Sequence, residues 1–318
     1  MAACRMSDAY HEHIPVLLKE AVENLITSRD GTYIDATFGR GSHSLAILQH
    51  LSPQGRLIAF DKDPDAIQYA QDVIRDPRFS IVHCSFARMQ MVLNDLAVFG
   101  DIQGILFDLG VSSPQLDNPD RGFSFVREGR LDMRMDTSQG IAAMHWLASV
   151  SEEELATVLW QYGEEKFSRR IARSIVETRK TTPIESTTQL ADIIKYAKPK
   201  PKTREDKHPA TRSFQAIRIA VNQELTELES ALAQALGALK VGGRLAVISF
   251  HSLEDRIVKQ FIKLHEKGAE LPRGLPVKGQ HFDARLKSLA KPIKPSMGEI
   301  NANPRSRSAV LRISEKLL

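Results

Sequence analysis

Four short apolar runs alternate with amphipathic helical stretches over the first 110 residues, and few architectures admit that rhythm. Thr32–Asp35, Arg56–Phe60, Phe79–Val82 and Gly104–Phe107 are strand-like. Leu17, Leu18, Ala21, Val22 and Leu25 recur at helical spacing ahead of the first strand. Helices are expected over His43–Leu51 and over Pro64–Arg75, the second opening on proline. Short strands separated by helices imply a doubly wound α/β fold, with a parallel sheet covered on both faces. The rhythm stops after Asp108. Residues 111–136 are rich in Ser, Pro, Asp, Gly and Arg and read as a long functional loop.

From Ile141 to Ala197 the pattern is helical. Ser151–Glu154 resembles a capping box ahead of Leu155, Val158 and Leu159. Two further helices centre on Phe167–Val176 and Leu190–Ala197, and Pro/Lys-rich residues 198–209 read as a linker. A single long helix is expected along Leu225, Leu228, Leu232, Leu236 and Leu239. Gly242–Phe250 then restores the strand pattern, followed by a helix over 253–265 and a strand over Ser308–Ile313. The sheet domain is therefore expected to be discontinuous, 1–115 and 216–318, with a helical domain inserted at 116–215.

Asp35-Ala-Thr-Phe-Gly39-Arg-Gly41-Ser-His43 lies at a strand-to-helix turn, where glycine lets the backbone bend sharply and approach a ligand. A pyrophosphate-binding turn usually carries a third glycine, but the position three after Gly41 is Ser44. An acid at Asp35 also opposes a phosphate, while it suits an ammonium group or a water. This favours S-adenosylmethionine (SAM) over a dinucleotide. Asp61 ends the second strand, where a carboxylate accepts the hydrogen bonds of ribose hydroxyls. Asp63, just before Pro64, is better placed as a helix cap. Phe86 either packs on adenine or belongs to the core. His43 is either a ligand contact or a polar helix-start residue.

Asp108-Leu-Gly-Val-Ser-Ser113-Pro114-Gln115 follows the fourth strand at the sheet edge where open α/β folds bind ligands. Methyl transfer to an exocyclic amine needs acceptors that hold both amino hydrogens and aim the nitrogen lone pair. Ser113 and the Pro114 carbonyl are candidates for that task, with Asp108 bridging cofactor and substrate. No aromatic follows Pro114, so Phe123 and Phe125 are candidates to grip a base. Methylation at a pyrimidine carbon needs a cysteine nucleophile. Cys4 and Cys84 are the only cysteines, and neither position suits that role, leaving amino or hydroxyl transfer. No zinc or other metal pattern is present.

These residues resemble the RsmH (MraW) family of bacterial 16S rRNA cytosine-N4 methyltransferases. The likeness is carried by His13–Glu20, Tyr33–Gly41, Asp108–Asp117, Arg121–Phe125, Leu131–Asp136, His208–Arg212, Phe214–Arg218, Ser249–Arg256 and Asn303–Arg307. It implies a Rossmann-like SAM-dependent methyltransferase that modifies a cytosine in the decoding region of the small ribosomal subunit. It places SAM contacts at Gly41, Ser42, His43, Asp61, Phe86, Asp108 and Gln115. At Ser42 the family usually carries glycine, and there serine still offers its backbone N–H. The resemblance also implies that the inserted helices help form an RNA-binding cleft.

The net charge of +4 and the basic stretches Lys198–Arg204 and Arg285–Arg312 suit a polyanionic partner. Arg121, Arg130, Arg134, Arg212 and Arg218 are expected near phosphate or base, or else in structural salt bridges. The expected partner is 16S rRNA within the small subunit, with a homodimer as an option. No apolar run reaches the roughly 20 residues that cross a bilayer. Met1–His11 is polar and lacks a secretory signal, so a cytoplasmic protein is expected. Two other readings stay open: an amino methyltransferase acting on DNA or protein, and a catalytically silent RNA-binding assembly factor.

Overall fold

The computed structural model describes residues 15–199, 208–267 and 283–318. Cys4, the N-terminal stretch Met1–His11 and most of the Pro/Lys-rich linker lie outside the described residues. Seven strands form one sheet: β1 (Thr32–Asp35), β2 (Arg56–Asp61), β3 (Phe79–His83), β4 (Ile102–Asp108), β5 (Leu239–Ser249), β6 (Leu286–Ser288) and β7 (Val310–Lys316). Their order is β3-β2-β1-β4-β5-β7-β6. The first five run parallel, and β7 is antiparallel to both of its neighbours.

Alternation along the strands builds two cores, one on each face of the sheet. Ile34, Ile58, Phe60, Ile105, Phe107, Leu245 and Val247 point to one side. There they meet Leu228, Leu232 and Ala235 of α11 (Glu224–Ala238) and Val258 and Ile262 of α12 (Ser252–Lys267). Tyr33, Leu57, Leu106, Ala246 and Ile248 point to the other side. Their cover is Ala21, Val22 and Leu25 of α1 (Leu18–Leu25) and Ile47 and Leu48 of α2 (Ser42–His50). With both faces covered, the central strands read as near-continuous apolar runs. α3 (Pro64–Val73) and α4 (Met89–Asp95) complete the layers flanking the β2–β4 half.

A third core is built mainly by helices. It gathers Leu147 of α6 (Ala143–Ser149), Leu155 and Leu159 of α7 (Glu152–Gly163), and Ile171 and Ile175 of α8 (Ser168–Arg179). Leu190 and Ile194 of α9 (Thr187–Ala197) join it, with Phe214 and Ile217 of α10 (Thr211–Asn222). Ser151 caps α7, its hydroxyl accepting the Glu154 N–H at 3.1 Å, as its spacing before Leu155 predicts.

Three expectations need correction. The loop 111–136 contains α5 (Ser113–Asp117) and a single 3₁₀ turn at Pro119–Arg121, and it buries Phe123, Leu131, Met133 and Met135 in the helical core. The long helix that carries Leu225, Leu228, Leu232 and Leu236 is α11, and it begins only at Glu224, separated from α10 by Gln223 at φ 52°. It also stops short of Leu239, which opens β5. The last strand starts at Val310 and runs on to Lys316. The short helix α13 (Met297–Ala302) precedes it. No helix among the described residues is long and apolar enough to cross a membrane.

Candidate active site

From β1 the chain winds outward to β2 and β3, then reverses to β4 and β5. The switch point therefore falls between β1 and β4, where open α/β sheets bind ligands at their carboxyl ends. A cavity of about 420 Å³ opens there. Of the residues expected to contact SAM, Ser42, His43, Asp61, Phe86, Asp108 and Gln115 line it.

Gly39 and Gly41 turn the chain from β1 into α2 at φ 56° and 73°. A Cβ on Gly41 would lie 2.7 Å from the Phe38 ring, so the turn accepts only glycine there. Gly41 itself does not line the cavity; it sets the path of the residues that do. Asp61 accepts the Gly39 N–H at 2.7 Å and the Asp63 N–H at 2.8 Å. Each oxygen keeps a lone pair for a further donor. Burial pushes its carboxyl up to about 6, against the two amide hydrogen bonds. Asp63 caps α3, accepting the Asp65 N–H at 3.0 Å.

Asp108 ends β4 with its backbone N–H donated to Thr37 Oγ1 at 2.6 Å. Its Oδ2 lies 3.5 Å from His43 Nδ1. Its Oδ1 is buried and has no hydrogen-bond partner among the described residues. Burial, then the charges of Asp35 and Glu254, drive the carboxyl well above the usual carboxylate range. An orphaned acceptor in a ligand-sized cavity fits a nitrogen donor. Phe86 packs edge-on against Phe107 at 5.5 Å and also lines the cavity.

Several candidates have other work. Asp35 does not line the cavity; it lies behind the turn, accepting the Ser44 hydroxyl at 2.7 Å, and is fully buried. The Gln115 amide accepts the Ser112 N–H and donates to Asp63, so this side chain braces the wall. Pro114 is not among the lining residues, and its carbonyl accepts the Asn118 N–H within α5. Phe123 is buried in the helical core and Phe125 packs on Phe214 and His208, so neither reaches the cavity. Phe38 and Phe250 do.

Cys84, set aside on its sequence position, does line the cavity. Burial raises its thiol, which disfavours the thiolate that ring activation requires. Arg121 is buried and bonded to Asp63, Asp65 and the carbonyls of Arg134 and Met135. Arg134 is paired with Asp132, and Arg218 is held by both oxygens of Glu224. The salt-bridge reading holds for these three. Arg212 stays at the surface, donating to the Glu164 carbonyl, and Arg130 forms a backbone bridge with Ser186.

The opposite wall was missing from the sequence reading. Glu254 accepts the N–H groups of Phe250 and His251 at 2.9 and 3.3 Å and lies 3.1 Å from His251 Nε2. Burial raises its carboxyl, but His251, Arg218 and the Phe250 N–H outweigh that and hold it low. Ligand atoms of Glu224, His251 and Glu254 lie within 4.8 Å of one another. The Arg218 guanidinium already supplies the positive charge there. Asn303 and Arg305 form the rim. Both segments carried the resemblance, yet nothing in their spacing assigned them a task.

The family model described as the MraW methylase family matches residues 10–317. The chain belongs to that family. Among its relatives is ribosomal RNA small subunit methyltransferase H of Pseudoalteromonas atlantica, 54% identical over 96% of this chain and 98% of its own. The protein of that name from Legionella pneumophila (strain Paris) is 55% identical, covering 96% and 99%. A third, from Marinomonas sp., is 52% identical and covers 98% and 99%. MraW methylases are SAM-dependent, and the cavity meets that cofactor's needs on its own geometry: a glycine turn, a carboxylate with open lone pairs, and an aromatic wall.

Proposed function

We propose that this MraW methylase transfers a methyl group from SAM to the N4 amino group of a cytosine in the decoding region of 16S rRNA. The observation that carries the reading is the cavity itself. It sets the open lone pairs of Asp61 and the unpartnered Asp108 Oδ1 in one space, in a chain whose full-length relatives are named for the small-subunit RNA. Bound SAM supplies an electrophilic methyl carbon on a sulfonium centre. Asp61 would hold the ribose hydroxyls, and Phe38 and Phe86 offer apolar faces for the adenine ring. The Ser42 and His43 end of α2 would face the amino-acid portion.

Asp108 accepts an amino hydrogen of the target through Oδ1, orients the nitrogen lone pair toward the methyl group, and is positioned to receive the proton released from nitrogen. That work is positioning and electrostatics, which is most of what transfer of this kind requires. The helical layer 116–215 serves as the substrate-recognition unit, and the assembled small subunit in the cytoplasm is the substrate.

The test is transfer of labelled methyl groups to small subunits, naked 16S rRNA and DNA, with wild type and Asp108→Ala. Label should appear at one cytosine of the small-subunit RNA, and Asp108→Ala should abolish it with unfolding unchanged. Transfer only to DNA would overturn the reading, and near-normal turnover by the variant would remove Asp108 from its role.

A further inference from the structure

The sequence suggests that Ser113 accepts an amino hydrogen. Its surroundings give it the opposite polarity. Arg305, on the C-terminal segment 303–308, donates from Nη1 to Ser113 Oγ at 2.7 Å and from Nη2 to Asp117 Oδ1 at 2.7 Å. Ser113 and Asp117 are four residues apart on α5, so one guanidinium spans both on the same face. A guanidinium has donors only. At this contact the serine oxygen must accept, and its own hydrogen must point elsewhere. Ser113 Oγ makes no other hydrogen bond among the described residues. Ser113 and Arg305 both line the cavity that holds Asp108.

From this geometry we infer that Ser113, with its hydroxyl turned inward by Arg305, donates to the ring nitrogen N3 of the target base and thereby selects cytosine. The inference rests on the cytosine-N4 reading above. Cytosine presents an amino donor beside the N3 acceptor, and uracil presents a carbonyl acceptor beside an N3–H donor. An acceptor at Asp108 Oδ1 paired with a donor at Ser113 matches the first edge and mismatches the second at both points. Enzymes that act on extruded bases read this Watson–Crick edge by side-chain hydrogen bonds. Ser113 is thus a specificity residue, and Arg305 is a positioning residue acting through it. Asp117 anchors the far side of the guanidinium. The clip is half exposed at the rim, where the C-terminal segment meets α5.

The experiment is a cycle between enzyme and substrate atom. Small subunits are reconstituted on rRNA carrying either cytidine or 3-deazacytidine at the target position; the second keeps the amino group but replaces N3 with C–H. Ser113→Ala should lower kcat/KM on cytidine by about 10-fold, the size of one hydrogen bond, and should cost nothing further on 3-deazacytidine. Arg305→Met should show the same pattern with a smaller loss, because the hydroxyl is present but no longer turned. Ser113→Thr, which keeps the hydroxyl, should restore the preference for cytidine. Equal losses on both substrates would overturn the inference, since they would mean that Ser113 serves the amino group or the fold. If wild type methylates neither substrate, the cytosine-N4 reading itself fails, an outcome separate from the other.

Discussion

Asp35 shows how a residue type that suggests a ligand contact can instead belong to the scaffold. In the sequence it is an acid beside a glycine turn. In the fold it is fully buried, holding Ser44 and the Thr37 N–H. Burial raises its carboxyl from 3.8 to about 6, with Asp61 adding to the rise. The folded state therefore binds a proton more tightly than the unfolded chain, and stability falls as pH rises between about 4 and 6. Above that window the cost of the buried charge is fully present. Asp35→Asn keeps a carbonyl for the Thr37 N–H and an amide for the Ser44 oxygen. Relative to wild type it should gain about 2 kcal/mol between pH 4.5 and pH 7.5 in urea unfolding. Parallel pH profiles for the two proteins would show that the ionised carboxylate is not strained there. Asp61 and Asp108 were legible from their place at strand ends. The roles of Asp35, Gln115 and Arg121 were not, because a charge pattern records what a side chain offers and not whether another residue takes it.

At the scale of elements, β1 to β4 were legible because their apolar runs are short and bounded by turn residues. The break between α10 and α11 was not. Apolar residues run up to it at Ile217, Ile219 and Val221 and resume at Leu225, and the glutamine at 223 is itself no turn former, yet it holds a left-handed conformation that costs a non-glycine residue about 1–2 kcal/mol. Neighbouring packing overrides that cost: Asn222 donates to the Met133 carbonyl and accepts the Met135 N–H. The segment 119–135 is irregular in sequence yet closely held. Gly122, at φ 76°, is where it folds back. A Cβ there would lie 2.5 Å from both the Arg130 carbonyl oxygen and the Asp132 nitrogen. Neither backbone group can move without drawing Leu131 and Met133 out of the helical core. Gly122→Ala should destabilise the protein by about 2–4 kcal/mol. Hydrogen exchange should quicken at the amides of 131–135 and stay slow in β4. Unchanged protection at 131–135 would mean that the segment is anchored elsewhere.

In the whole molecule, the cavity lies where the sheet and the helical layer meet, and ion pairs bind the two across it. Arg121 reaches from the 3₁₀ turn to Asp63 and Asp65 on the β2–α3 side. Lys62 donates to the Asn222 carbonyl at the end of α10 at 3.2 Å, held there by its pair with Glu227 of α11 at 2.7 Å. The helical layer was legible as a block of amphipathic periods, but its docking was not. Arg121 and Lys62 find their partners more than fifty residues away, and no local pattern encodes such pairs. The consequence is thermodynamic. A ligand that binds only the assembled cavity stabilises both layers together, by about 2.7 kcal/mol at one hundred times its Kd. SAM should therefore raise the unfolding midpoint of wild type in one cooperative step, with the helical and sheet signals moving together. Asp61→Asn leaves the Gly39 and Asp63 amides a single carbonyl oxygen between them and turns a donor toward the ribose, so most of that shift should disappear. A SAM-induced shift confined to the sheet would show that the layers are not coupled through the cavity, and an undiminished shift in the variant would remove Asp61 from cofactor binding.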